Sequence, residues 1–186
     1  MSADQPGITR ALVCHPQSPA SGIEGVEVEL RAAPSGLKCA YRIRAAPGAL
    51  KIPTPDHPLD PQRLWEHTCC ELFVARESAP SYEEWNFSPT GQHAHFEFEG
   101  YRCRAEQPSR PSLEIAVTVT LEPDRLQLQV EVPIDDEPRL LSPTVVLEDR
   151  EGSKSYWALR HASAQPDFHH RDGFELAYPR HFVASS

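Results

Sequence analysis

The sequence predicts an all-β domain, an antiparallel two-sheet β-sandwich, on three observations. Short apolar runs alternate with polar residues at period two, as over 26–31, where Val26, Val28 and Leu30 alternate with Glu27, Glu29 and Arg31. Nineteen prolines in 186 residues, roughly twice the usual ~5%, interrupt the chain too often for long helices. The alternation is one-sided, the mark of sheets with one covered and one open face, which antiparallel pairing permits. There is no internal repeat. The length suits one domain over 1–186, with an ordered core from about residue 10 to about residue 180 and at most one or two short helices.

Taken in order, residues 1–8 read as a frayed start and 11–15 as a first strand, with a loop rich in Ser, Pro and Gly over 16–25. Residues 26–31 and 37–44 form a hairpin across Pro34-Ser35-Gly36. The stretch 45–61 holds five prolines, too many missing amide hydrogens for a central strand, and a loop of such length is commonly functional. Asp60 is placed as a helix N-cap with Pro61 at the first helical position, so 61–67 makes a turn or two that brings Trp65 to the sheet. Three strands follow at 69–75, 82–88 and 93–99. Their inward sets are Cys70, Leu72 and Val74, then Trp85 and Phe87, then Ala94, Phe96 and Phe98. Residues 113–121 and 126–132 pair around Pro123-Asp124, and 135–138 is polar loop. Strands at 144–149, 155–161 and 174–178 bring the total to nine to eleven.

Composition narrows the function. Acidic residues outnumber basic ones by 27 to 18, for a net charge of −9, and Lys and Arg gather into no stripe. Neutralising phosphates needs such a stripe, so neither nucleic acid nor an anionic membrane surface is an expected partner. No window approaches the ~18 apolar residues of a membrane-spanning helix. The opening MSADQPGITRALVCHP has no secretory pattern, so a cytoplasmic location is expected. Five cysteines without a C-x-x-C pair read as reduced thiols rather than a zinc site.

The outward sets of the three central strands carry Glu71, Glu84, Asn86, His93 and His95, which parity gathers on one sheet face. That face supports three chemistries. Trp65 and Trp157 could stack on a sugar whose hydroxyls bond carboxylate and amide groups. His93 and His95, two apart on a strand, could share a metal with Glu71 or with a tail histidine such as His169. Glu71 with Glu84 could serve as the acid and base of glycoside hydrolysis.

The runs W-E-H-T-C-C-E-L-F-V, Y-E-E-W-N-F-S-P-T-G, Y-W-A-L-R-H and P-D-F-H-H-R-D-G-F resemble the DOMON-like domain family of uncharacterised bacterial proteins, itself similar to family 9 carbohydrate-binding modules. The resemblance covers about residues 10 to 180. It implies a β-sandwich with a ligand cleft in which Trp65 and Glu71 contact a sugar and Trp157 supplies a second aromatic ring. Other DOMON relatives hold a b-type haem through Met with His or Lys. Met1 is the single methionine of this chain, so a haem here would need two histidines. The leading expectation is a non-catalytic module for a small polar ligand, a sugar first. Its ligand residues are Trp65, Glu71, Asn86, Trp157, His161 and His169, with no metal or cofactor required. The alternatives are a haem- or metal-binding protein using His93, His95, His161 or His169, and an enzyme with Glu71 as acid or base.

Overall fold

Regular period-two alternation becomes strand almost throughout. The computed structural model describes residues 7–107, 114–135 and 137–179. The strands β1 (Gly7–Cys14), β2 (Ile23–Ala33) and β3 (Gly36–Ala45) come first, followed by a 3-10 helix at Pro61–Glu66. Next are β4 (Cys69–Arg76), β5 (Tyr82–Phe87), β6 (His93–Gly100) and the two-residue β7 (Cys103–Arg104). Then come β8 (Thr118–Glu122), β9 (Arg125–Val132), β10 (Arg139–Glu148), β11 (Lys154–Ala158) and, after a 3-10 turn at Arg171–Gly173, β12 (Leu176–Tyr178).

Every pairing is antiparallel, and the strands make two faces of a sandwich. One sheet runs β1-β2-β3-β9-β8 and the other β7-β6-β5-β4-β10-β11, with β12 beside the first residues of β10. β1 belongs to both. Its residues 7–12 pair with β2 and residues 13–14 with β11, so the hydrogen-bonded path is continuous through this one strand. The sheets share an apolar core in which Val28, Leu30 and Ile43 from one meet Leu72, Trp85 and Val145 from the other.

Tyr41 ties the sheets together, because its buried hydroxyl crosses the core and donates to the Glu71 carbonyl at 2.6 Å. Tyr41→Phe is expected to cost ~1–2 kcal/mol, since the buried carbonyl loses a partner while the ring still packs. Urea denaturation checks this as a lower midpoint with an unchanged slope. Gly36 opens β3 at φ +144°, and a Cβ there would collide with the Val132 carbonyl oxygen, so this turn requires glycine.

Several boundaries differ from the sequence reading. The first strand starts at Gly7 rather than residue 11. Of the strand expected over 113–121, Leu113 lies outside the described residues and pairing begins at Thr118. β10 begins at Arg139 rather than 144 and runs through Pro143. Proline is tolerated there because β12 pairs only with residues 139–141 and β11 only from residue 144, leaving that flank open between them. The Asp60 cap stands as expected, its carboxylate accepting from the Gln62 amide at 2.9 Å.

A larger correction concerns the open face. β4 is buried along all but its last residue, so its sheet is covered on both sides. The outer cover is a second apolar cluster, formed where Leu64 and Phe174 close over Phe73, Tyr82, Phe96 and Phe98. Two connecting segments supply this cover, and both are tied down. The first carries Lys51, whose amide donates to the Glu148 carbonyl at 2.9 Å and whose ammonium lies 2.6 Å from the Glu148 carboxylate. The second carries Asp167, which accepts from Tyr101 Oη at 2.5 Å and from Arg102 at 2.9 Å. No helix among the described residues is long and apolar enough to cross a membrane.

Candidate functional site

The site is built on the outer face of the covered sheet, and strand register states which side chains share it. One row across β10, β4, β5 and β6 is Thr144, Glu71, Asn86 and Ala94. The next is Ser142, Phe73, Glu84 and Phe96, followed by Leu140, Ala75, Tyr82 and Phe98. Glu71 and Glu84 are therefore diagonal neighbours on adjacent strands, roughly 7–8 Å apart at the backbone.

Above these rows lies a cavity of about 520 Å³, within the ~300–1,000 Å³ usual for small-molecule sites. Glu71, Glu84 and His169 form its polar floor, and Trp65, Phe96, Tyr156 and Phe168 are among its aromatic walls. Trp65 meets Phe96 edge-to-face with centroids 5.6 Å apart, which fixes the indole over one end. Arg102, Arg104 and Lys154 also line it.

The floor is a hydrogen-bonded set. Thr144 Oγ1 donates to Glu71 at 3.0 Å, and Asn86 Nδ2 donates to Glu84 at 2.7 Å. His169 Nε2 stands 3.7 Å from the other Glu84 oxygen. The Arg102 amide donates to Tyr82 Oη at 3.1 Å, which leaves the phenolic hydrogen for His169 Nδ1 at 2.7 Å. With Nδ1 accepting, neutral His169 carries its proton on Nε2 and presents an N–H beside the Glu84 carboxylate.

Burial decides the protonation states. The Glu71 carboxyl is held well above the usual range, first by burial and then by the nearby Glu84 charge, against one opposing bond from Thr144. Glu84 is also raised by burial, opposed by the Asn86 bond and by Arg104 and Arg102. His169 is pulled down to about 4 by burial and the Arg102 charge, with Asp167 opposing. Burial pushes Tyr82 up to about 12. Burial thus favours the protonated acid at Glu71 and keeps the His169 imidazole neutral, and both forms are hydrogen-bond donors.

The structure brings together part of the expected set. Trp65, Glu71 and His169 line the cavity, and Asn86 lies directly beneath, fully buried and spent on Glu84. His161 sits behind the wall, its Nε2 on the Val13 carbonyl at 2.8 Å and its ring 6.4 Å from that of Phe168. Trp157 does not join them. It occupies the sandwich core on the opposite face, register-paired with Val145, and its Nε1 donates to Ser155 at 3.0 Å. The ring that reaches the cavity from β11 is its neighbour Tyr156, so the second ring expected from Trp157 comes from the adjacent residue.

The parity expected of β6 is inverted. Phe96 and Phe98 were expected inward with His93 and His95 outward, yet Phe96 pairs with Glu84 on the site face. His95 instead pairs with Trp85, stacking on it at 3.9 Å and meeting Glu83 at 3.0 Å. His93 and His95 therefore stand on the other side of the sheet from His169 and Glu71, and the proposed metal set does not converge. Among the described residues, no group of three or more His, Cys, Asp or Glu side chains is disposed to hold a metal ion. Cys69 and Cys70 are buried with thiols raised by desolvation, unsuited to act as nucleophiles with His67. The sequence reading did not assign Phe96, Tyr156, Arg102 or Arg104 to the site. The first two needed the correct parity, and the arginines lie in a charged connection with no periodic signal.

No family model matches the chain, and no curated protein is similar to it in sequence. Among solved structures, the crystal structure of a "putative carbohydrate-binding protein" from Bacteroides uniformis is similar, with a TM-score of 0.61 at 15% identity over 90% of this chain and 84% of that one. At this identity the likeness is one of fold, and it agrees with the β-sandwich read from the sequence.

Proposed function

We propose that the chain is a non-catalytic carbohydrate-binding module. The observation that carries this reading is the pairing of aromatic walls with a buried, hydrogen-bonding floor in one cavity. Sugar rings offer apolar C–H faces that stack on Trp65 and Tyr156. Their hydroxyls both donate and accept, which matches the Glu84 carboxylate, the protonated Glu71 and the His169 Nε2–H. The fold shared with the Bacteroides uniformis protein, described as carbohydrate-binding, supports the same reading.

Isothermal titration against a panel of mono- and oligosaccharides tests it. Trp65→Ala is expected to weaken binding by about tenfold or more, as loss of a stacking platform does. Glu84→Gln should weaken it several-fold while leaving the fold intact. Unchanged affinity in both variants, or no binding to any saccharide at millimolar concentration, would end this proposal.

A second reading rests on a specific feature, the buried acid Glu71 beside the carboxylate Glu84, which is the pairing glycoside hydrolysis needs. Release of reducing ends from a bound oligosaccharide, abolished by Glu71→Gln, would establish it over the binding module.

A further inference from the structure

The cations at the cavity are unequally occupied. Arg102 is paired with Asp167 at 2.9 Å, and Glu66 at the rim is paired with Arg63 at 2.8 Å. Arg104 has no carboxylate partner among the described residues. Its guanidinium lies 4.0 Å over the Phe96 ring and donates to the neutral Gln62 side chain at 2.7 Å. Lys154 likewise has no ion-pair partner among the described residues, although Glu148 is its register neighbour. The Glu148 carboxylate is taken by Lys51 at 2.6 Å and His67 at 2.8 Å. Two cations without a direct ion pair among the described residues therefore line a cavity whose floor holds Glu71 and Glu84, in a chain whose net charge is −9. The overall charge would repel an anion, so these two cations offer a local attraction at the ends of the cavity.

Their placement gives the direction. Arg104 is on β7 and Lys154 on β11, at the two ends of the row β7-β6-β5-β4-β10-β11. Five strand spacings of ~4.8 Å separate them across the sheet, and the registers set Arg104 level with Leu140 but Lys154 level with Glu148, so the two stand at diagonal corners. The cavity thus runs obliquely over the strands, with Phe96 and Glu84 on the Arg104 side and Glu71 and Tyr156 toward Lys154. A single small anion cannot satisfy both ends.

We propose that this cleft selects an acidic oligosaccharide, laid obliquely over the strands with one anionic group at Arg104 and another at Lys154. This rests on the carbohydrate-binding reading and adds charge and length to it. Neutral hydroxyls take the floor at Glu71, Glu84 and His169, while the acid groups sit at the solvent-facing ends, where a cation need not be desolvated fully to act.

The test compares oligogalacturonate, a sulfated heparin tetrasaccharide and neutral cellotetraose by isothermal titration at about 50 and about 500 mM NaCl. One of the two acidic ligands is expected to bind more tightly than the neutral one, with affinity that falls as salt rises, and the pair of arms tells carboxylate from sulfate. Arg104→Gln and Lys154→Gln should each weaken that ligand by about two- to fivefold, with the losses compounding in the double variant. Binding of cellotetraose should fall by a smaller factor than binding of the acidic ligand in each variant. Equal, salt-independent affinity for neutral and acidic ligands overturns the charge selectivity and leaves the carbohydrate reading standing. Binding of none of the three, with wild-type thermal stability in the same samples, overturns both.

Discussion

Phe73→Ala is expected to destabilise the protein by about 3–5 kcal/mol and, in the same step, to release the segment that walls the cavity. Phe73 is 1% exposed and lies on the site face of β4, opposite Glu84. Its ring meets those of His169 at 5.2 Å, Phe174 at 5.9 Å and Phe168 at 6.4 Å, each close to edge-to-face. Those three residues all belong to the covering tail, so this one side chain supplies much of what the tail packs against. The cavity left by truncation cannot be refilled by β4, whose backbone is paired on both edges. Phe87→Ala is the comparison. It is equally buried but faces the sandwich core, so it should cost a similar amount without loosening the tail selectively. Hydrogen exchange separates the two. In Phe73→Ala, the amides of His169, Gly173 and Phe174, which bond Asp167 and the His170 and Arg171 carbonyls, should lose protection before the sheet does. Equal tail protection in the two variants would show that Phe73 is ordinary core. The same variant should also lose saccharide binding, because His169 and Phe168 leave with the tail.

The tail also explains which parts of the site were legible in the sequence. β2, β3 and β4 alternate so regularly that their inward sets were readable from period two alone, and the Asp60-Pro61 signature placed Trp65 correctly. The pairing of Glu71 with Asn86 and Glu84 on one face followed from the same parity. The error at β6 came from equating aromatic with inward. That equation fails for a sheet covered on both sides, because Phe96 and Phe98 can bury themselves under the tail as well as between the sheets. Meanwhile His95 is accommodated on the other face by stacking on Trp85 and bonding Glu83. β11 failed for a related reason. Tyr156 and Trp157 are adjacent, both faces accept an aromatic ring, and only the register against β10 chooses between them. Arg104 and Lys154 were beyond reach, since an unpaired cation is defined by which carboxylates lie elsewhere in space.

Glu71→Gln is expected to raise stability at alkaline pH and to flatten its dependence on pH. Glu71 is 2% exposed, and burial together with Glu84 holds its carboxyl well above the range it has in the unfolded chain. Between those two values the native state keeps a proton that the unfolded state has lost, so stability falls as pH rises, by up to about 1.4 kcal/mol per pH unit for one proton. His169 acts in the opposite sense. Its folded value of about 4 lies below its ordinary 6.5, so the unfolded state binds the extra proton and stability rises across that interval. The two slopes oppose each other up to about pH 6.5, above which His169 contributes none and no longer offsets the Glu71 slope. Glutamine keeps the shape and can still accept from Thr144, but it has no charge to exclude. Glu84 retains a smaller slope of the same sign, since its own rise comes first from burial. Denaturant unfolding from pH 6.5 to 9 should therefore show the wild type losing stability faster than the variant. Parallel profiles would mean that Glu71 is ionised in the folded protein, and the floor would then lack the carboxylic O–H that the proposed sugar hydroxyls are to meet. A buried acid that costs stability when ionised, set in the floor of a cavity, suits a binding site better than a core.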